Sequence, residues 1–166
     1  MTAQLEHLRD QTIDVGFLML PVHDETFETK LLMRDPLVVA VPVGHPLGRG
    51  KIKTVDLRRI EPYELIMFSR TGGLGFFSHV LTICRKAGFI PAIAQEVSTM
   101  ESVIGLVAAG VGISVVPSIA KRLRISGVEY LSVRESYAVM EFAMAWRKDN
   151  DSPVVQAFVD LVGEAG

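Results

Sequence analysis

The 166-residue chain predicts an α/β fold on a mainly parallel sheet. Short apolar, β-rich runs alternate with amphipathic segments along its length. Gly88 and Gly110 stand where helices close, and Pro117 and Pro153 where helices open. Three joints, SRTGGLGF (69–76), EVSTME (96–101) and VVPSIA (115–120), repeat one order: apolar run, small polar residue, helix start.

The elements follow in order. Gln4, Leu5 and Leu8, with the charges between them, mark the second half of an amphipathic helix. TIDVGFLML (12–20) is β-rich with few charges and reads as a buried parallel strand. FETKLLMRDPLVVAVP (27–42) is long for one strand and has Asp35-Pro36 in its middle. Proline donates nothing to a ladder, so an edge position, a bulge or a lobe crossing is expected there. GHPLGRGK (44–51) is loop, and Thr54 is placed to N-cap a short helix through Arg59. YELIMF (63–68) is a strand. Helix 75–87 buries Phe76, Val80, Ile83 and Ala87, with Phe77, Leu81 and Cys84 beside them. IAQEV (93–97) is a strand, and Ser98 or Thr99 caps the helix ESVIGLVAA, apolar almost all round and so expected to be buried. GISVV (112–116) is a strand, and Pro117 sits in the first turn of a further helix. Strands near 128–133 and 138–147 lead to a last helix from Ser152-Pro153, with Val154, Val155, Phe158, Val159 and Val162 as its apolar set.

Composition narrows the function. Apolar residues are 49% and charged residues 22%, a globular balance. The net charge of −2, with no Lys/Arg run longer than two, gives no basic stripe, so this chain alone is a poor nucleic-acid ligand. Cys84 is the single cysteine, so there is no disulfide framework. No apolar stretch approaches the roughly 18–20 residues that span a bilayer, and the N-terminus has no signal-peptide core. The cytoplasm is the expected compartment, with no membrane partner.

The glycine-rich turn draws the chemistry. It lacks the Lys of a phosphate-binding loop. Gly73-x-Gly75-x-x-Ser78 supplies two of three dinucleotide glycines, with Glu96 as the nearest acidic ribose partner, so a nucleotide is disfavoured. Two readings stay open: a flexible connection, or a helix N-terminus that holds a small anion with Ser69, Arg70 and Thr71 at hand. If the three joints lie on a parallel sheet, they open on one side as a polar-lined cleft. His7, His23, His45 and His79 form no metal or nucleophile pattern. No catalytic residue, metal or cofactor is expected, and the chain does not read as an enzyme.

DPLVVAVPVGHPL (35–47) and IGLVAAGVGISVVPSIA (104–120) resemble the effector-binding domain of LysR-type transcriptional regulators. QLEHLRDQTIDVGF (4–17) and AWRKDNDSPVVQAFVDLV (145–162) extend the resemblance over essentially the whole chain. It implies a two-lobed α/β fold like the type 2 periplasmic binding proteins, with crossing strands and an effector in the cleft. Residues 1–35 and 139–166 would form one lobe, incomplete, and 36–138 the other. The implied effector-facing positions are Ser69 to Phe76 (Ser69, Arg70, Thr71, Leu74 and Phe76), Ser98, Thr99, Met100, Pro117, Phe142 and Thr2. The implied effector is a small organic acid, aromatic or dicarboxylic. The implied partner is a second copy, as a homodimer or larger homo-oligomer. The family reaches DNA through an N-terminal helix-turn-helix, which has no counterpart here, nor does the first strand–helix–strand of the first lobe. The alternative reading is a solute-binding module of a transport system.

Overall fold

The structure, a computed structural model, describes residues 3–50, 53–70 and 75–164. The chain divides into two compact units, Met1–Arg34 with Met140–Gly166, and Asp35–Val139.

In the first unit, α1 (Ala3–Arg9) leads into β1 (Val15–Met19). β1 pairs antiparallel with β8 (Val139–Arg147), from Val15 opposite Trp146 to Met19 opposite Phe142. β8 lies between β1 and the first half of β2 (Phe27–Pro42). The alternation of a strand sends neighbouring side chains to opposite faces. Leu18 and Ala145 face Leu8 of α1. Met144 and Trp146 pack on Val155 and Val159 of α4 (Pro153–Glu164). α4 therefore buries a narrow stripe, leaving Val154 and Phe158 of its expected apolar set exposed. β1 also departs from the expected buried parallel strand. It runs against its neighbour, and Phe17 is 49% exposed.

The second unit is built around the other half of β2, where Leu37 to Val41 are all buried. There β2 pairs on one edge with β6 (Ser114–Pro117) and on the other with β7 (Val128–Val133), both antiparallel. β3 (Thr54–Val55) adds to β7 in parallel. Beyond β6 come β4 (Leu65–Phe68) and β5 (Ile93–Val97), parallel to each other. A parallel bridge between Leu65 and Ile113 joins β4 to the start of β6. The order is thus β5-β4-β6-β2-β7-β3. α2 (Phe76–Lys86) connects β4 to β5, and α3 (Met100–Ala108) connects β5 to β6. The sheet of this unit is mixed: β2 runs against both of its partners, while the other five strands run in one direction.

Other local expectations change for physical reasons. Thr54 pairs with Ser132 in the ladder, so Asp56 stands at the N-cap of the short 3-10 turn Leu57–Ile60. α3 buries only Val103, Ile104 and Val107, against Val38, Ile66 and Val116 of the sheet, and its other side is open. Pro117 completes β6, and a 3-10 turn, Ser118–Leu123, follows in place of an α-helix.

The glycines of the AAGVG stretch do two jobs. Gly110 has φ of +76°, a left-handed cap residue. Its N–H donates to Val107 and that of Val111 to Leu106, closing α3 in a Schellman motif. At Gly112 a Cβ would stand 2.7 Å from the Glu64 carbonyl oxygen, where β4 and β6 meet.

Asp35 and Pro36 lie inside β2, which continues without a break. Pro36 is exposed and Asp35 is buried. The Asp35 carboxylate accepts from the Ser118 N–H (3.0 Å), the Ser118 hydroxyl (2.5 Å) and the Ile119 N–H (3.2 Å). It supplies the cap that Pro117, as N-cap residue, does not.

Two stability predictions follow. Asp35→Ala leaves two backbone donors and a hydroxyl without this acceptor, and urea unfolding should show a loss of about 2–3 kcal/mol. Gly112→Ala should cost about 1–3 kcal/mol in the same measurement through its clash with backbone.

Candidate functional site

β4, β5 and β6 are mutually parallel, so their C-terminal ends share one edge of the sheet. Ser69 follows β4, Ser98 follows β5, and Pro117 ends β6. The Ser69 N–H donates to the Val97 carbonyl at 2.8 Å and holds the first two joints side by side. The antiparallel run of β2 brings Asp35 to the same edge, since Leu37 is opposite Pro117. Two helices begin here. α3 is capped by Thr99, whose Oγ1 accepts the Ser102 N–H at 3.2 Å. α2 starts from Gly75 at φ 79° with no side-chain cap. The positive end of its dipole faces this edge.

Of the residues expected to face an effector, Ser69, Arg70, Phe76, Ser98, Thr99, Met100 and Pro117 stand at or next to these strand ends. Their roles differ. Ser98 and Thr99 are exposed, Pro117 is buried, and Met100 packs against the core under α3. Phe76 is buried with its ring edge-to-face against Phe68 at 5.3 Å. Phe142 belongs to the first unit, opposite Met19 in β8. Thr2, Thr71 and Leu74 lie outside the described residues.

Arg70 is not a bare cation. Its Nε donates to Glu96 Oε1 at 2.9 Å, its backbone N–H lies 3.4 Å from Glu96 Oε2, and its guanidinium stacks 4.6 Å above the Phe77 ring. Glu96, the nearest acidic residue for a nucleotide ribose, is thereby engaged with Arg70. Sequence reasoning placed both residues without pairing them. It also passed over Asp35 as a cap and His79, whose Nε2 lies 2.8 Å from the Val139 carbonyl. No local pattern signals any of these contacts.

The other chemistry-bearing side chains serve the fold. His45 accepts the Leu47 N–H at its Nδ1 and meets Tyr63 edge-to-face at 4.6 Å. Burial lowers its pKa, which favours the neutral ring. It borders a cavity of about 310 Å³ with Pro42, Tyr63, Glu64 and Ile113. That cavity lies at the starts of β4 and β6, the opposite edge of the sheet. Among the described residues, no group of three or more His, Cys, Asp or Glu side chains could hold a metal. None of the described helices is long and apolar enough to cross a membrane.

A two-unit α/β fold, with two strands running from one unit to the other and a polar edge at its parallel strand ends, is the architecture of a ligand-binding domain. The chain belongs to the LysR substrate binding domain family, which matches residues 1–166. It is 33% identical over 158 residues to the HTH-type transcriptional regulator AlsR of Bacillus subtilis (strain 168), covering 95% of this chain and 52% of AlsR. It is 29% identical over 160 residues to BenM of Acinetobacter baylyi (strain ATCC 33305 / BD413 / ADP1), covering 96% of this chain and 53% of BenM. The chain thus spans about half the length of the curated relatives it matches. The solved BenM effector binding domain with its effector benzoate superposes with a TM-score of 0.86 at 28% identity, covering 98% of this chain and 73% of that one. The effector binding domain of QuiR in complex with shikimate gives 0.81 at 27% identity, covering 99% and 77%. The fold is that of the type 2 periplasmic-binding-protein-like effector domains.

Thiol chemistry has no place at this edge. Burial pushes the Cys84 thiol up to about 11, so it is protonated at neutral pH. An aromatic disulfide reagent at pH 8 should leave Cys84 unmodified in the folded protein and react fully in about 6 M guanidinium, which unfolds ordinary domains.

Proposed function

We propose that this domain senses a small organic acid, aromatic or dicarboxylic, at the strand-end edge around Ser69, Ser98 and Pro117. The bound effector modulates transcription by a longer regulator that reaches DNA through a helix-turn-helix outside these residues. The observation that carries the reading is the convergence of three parallel strand ends and two helix N-termini on one edge, with Ser, Thr and Arg side chains around it. Backbone N–H groups and the α2 dipole favour a carboxylate there, and no metal or nucleophile is required. The ligands in the titles of the BenM and QuiR structures, benzoate and shikimate, are small carboxylic acids, which supports the class.

In this reading, residues 1–35 with 139–166 form the first lobe and 36–138 the second. The regulator works in the cytoplasm as a homodimer or larger homo-oligomer. The transport alternative draws no support from relatives such as AlsR and BenM, which are transcriptional regulators. Their kind likewise supports a binding protein over an enzyme.

Titration calorimetry with benzoate and with shikimate tests the site. Ser69→Ala should weaken binding by about 1 kcal/mol, the net worth of one hydrogen bond. Arg70→Ala should cost about 0.5–1 kcal/mol, because its charge is shared with Glu96 and open to solvent. Glu96→Gln removes the competing carboxylate and should tighten binding. Affinities unchanged in all three variants would rule the site out.

A further inference from the structure

The second unit grips its own chain at both points where the chain passes to the first unit. At the entry, the Asp35 carboxylate holds the start of the Ser118–Leu123 turn. At the exit, the Ala138 carbonyl accepts the Leu37 N–H at 2.9 Å, and the Val139 carbonyl meets His79 Nε2 at 2.8 Å. A carbonyl oxygen only accepts, so the proton of this bond sits on Nε2 of His79. Val139 is the first residue of β8 and the last of the second unit.

His79 is equally fixed at its backbone end. Its N–H donates to the Gly75 carbonyl at 3.0 Å and closes the first turn of α2. Its ring lies 6.5 Å from that of Phe76, which rests on Phe68 at the end of β4. One side chain therefore joins the turn that follows the glycine-rich segment to the strand that leaves the unit. The intervening pieces are the first turn of α2 and the Phe76–Phe68 ring pair.

We propose that His79 is a positioning residue that couples the first turn of α2 to the start of β8. Ligand binding at the strand-end edge then tightens the strand that leads into the first unit. This rests on the proposed effector site. The coupling acts through a single hydrogen bond, so its removal changes local opening by roughly threefold to tenfold and not by orders of magnitude.

Hydrogen exchange on the whole chain tests it, first without ligand. His79→Leu keeps apolar bulk beside Phe76 but has no donor, and His79→Gln returns an amide donor near the place of Nε2. The leucine variant should exchange about threefold to tenfold faster in both 76–80 and 138–141, with α4 unchanged as a control for folding. The glutamine variant should restore both segments. Unchanged exchange at 138–141 in the leucine variant overturns the proposal, as does a glutamine variant that stays as fast as leucine. Benzoate and shikimate are then titrated into the wild type. Either one that slows exchange at 76–80 should also slow 138–141, and the second effect should vanish in His79→Leu. Protection at 138–141 that persists in His79→Leu overturns the coupling. If neither compound binds the wild type, the effector reading fails for them, and the ligand-free comparison decides the coupling by itself.

Discussion

The second half of β2 is the constraint on which the second unit depends. Val38 to Ala40 pair with β6 on one edge and with β7 on the other, and every side chain from Leu37 to Val41 is buried. Pairing on both edges holds one register here, with Val38 opposite Val116 on one side and Ser132 on the other. That register sets Leu37 opposite Pro117 and so delivers the Asp35 carboxylate to the N–H groups of Ser118 and Ile119. The position of the β6 end, and with it the third joint of the candidate site, is fixed by its pairing with β2.

The elements with strong local signals were legible from the sequence: β7 and the last helix, the α2 stripe of Phe76, Val80 and Ile83, and the glycine closures of α2 and α3. Those signals are short-range, a period of side chains or a backbone that needs positive φ. Strand direction is not such a signal. The run at 12–20 reads alike whether its neighbour is parallel or antiparallel; among the described residues β1 pairs with β8 alone, and Phe17 is exposed while Leu18 is buried. The apolar composition of α3 misled in the same way. Val103, Ile104 and Val107 suffice for its contact with the sheet, and Gly105 is simply exposed on the far side. Thr54 was a plausible cap by composition, but the ladder with β7 claimed it first.

The candidate site shows the same division more sharply. The capping hydroxyl of Thr99 is local and was readable. The contacts that organise the edge join residues far apart in the chain: Arg70 to Glu96 across 26 positions, His79 to Val139 across 60 and Asp35 to Ser118 across 83. Each depends on sheet order, which a single sequence does not spell out. A charged residue seen alone in a glycine-rich turn reads as a ligand group, whereas in the fold it already has a partner.

That partner changes what kind of binding the edge supports. The Arg70 side chain is 66% exposed and that of Glu96 31%, so their ion pair is a surface pair, worth about 1 kcal/mol or less. At the proposed site a carboxylate would therefore displace Glu96 at small cost but gain little from a guanidinium whose charge stays balanced by a neighbouring acid. In that proposal the durable attraction would come from the N–H donors at the start of α2, which have no side-chain cap among the described residues, and from the dipole behind them. Those donors are directional and fixed by the helix, while the Arg70 guanidinium lies over the Phe77 ring. Discrimination among small acids at the proposed site would then rest on how each fits the backbone donors beside Ser69 and Ser98, with charge alone selecting weakly.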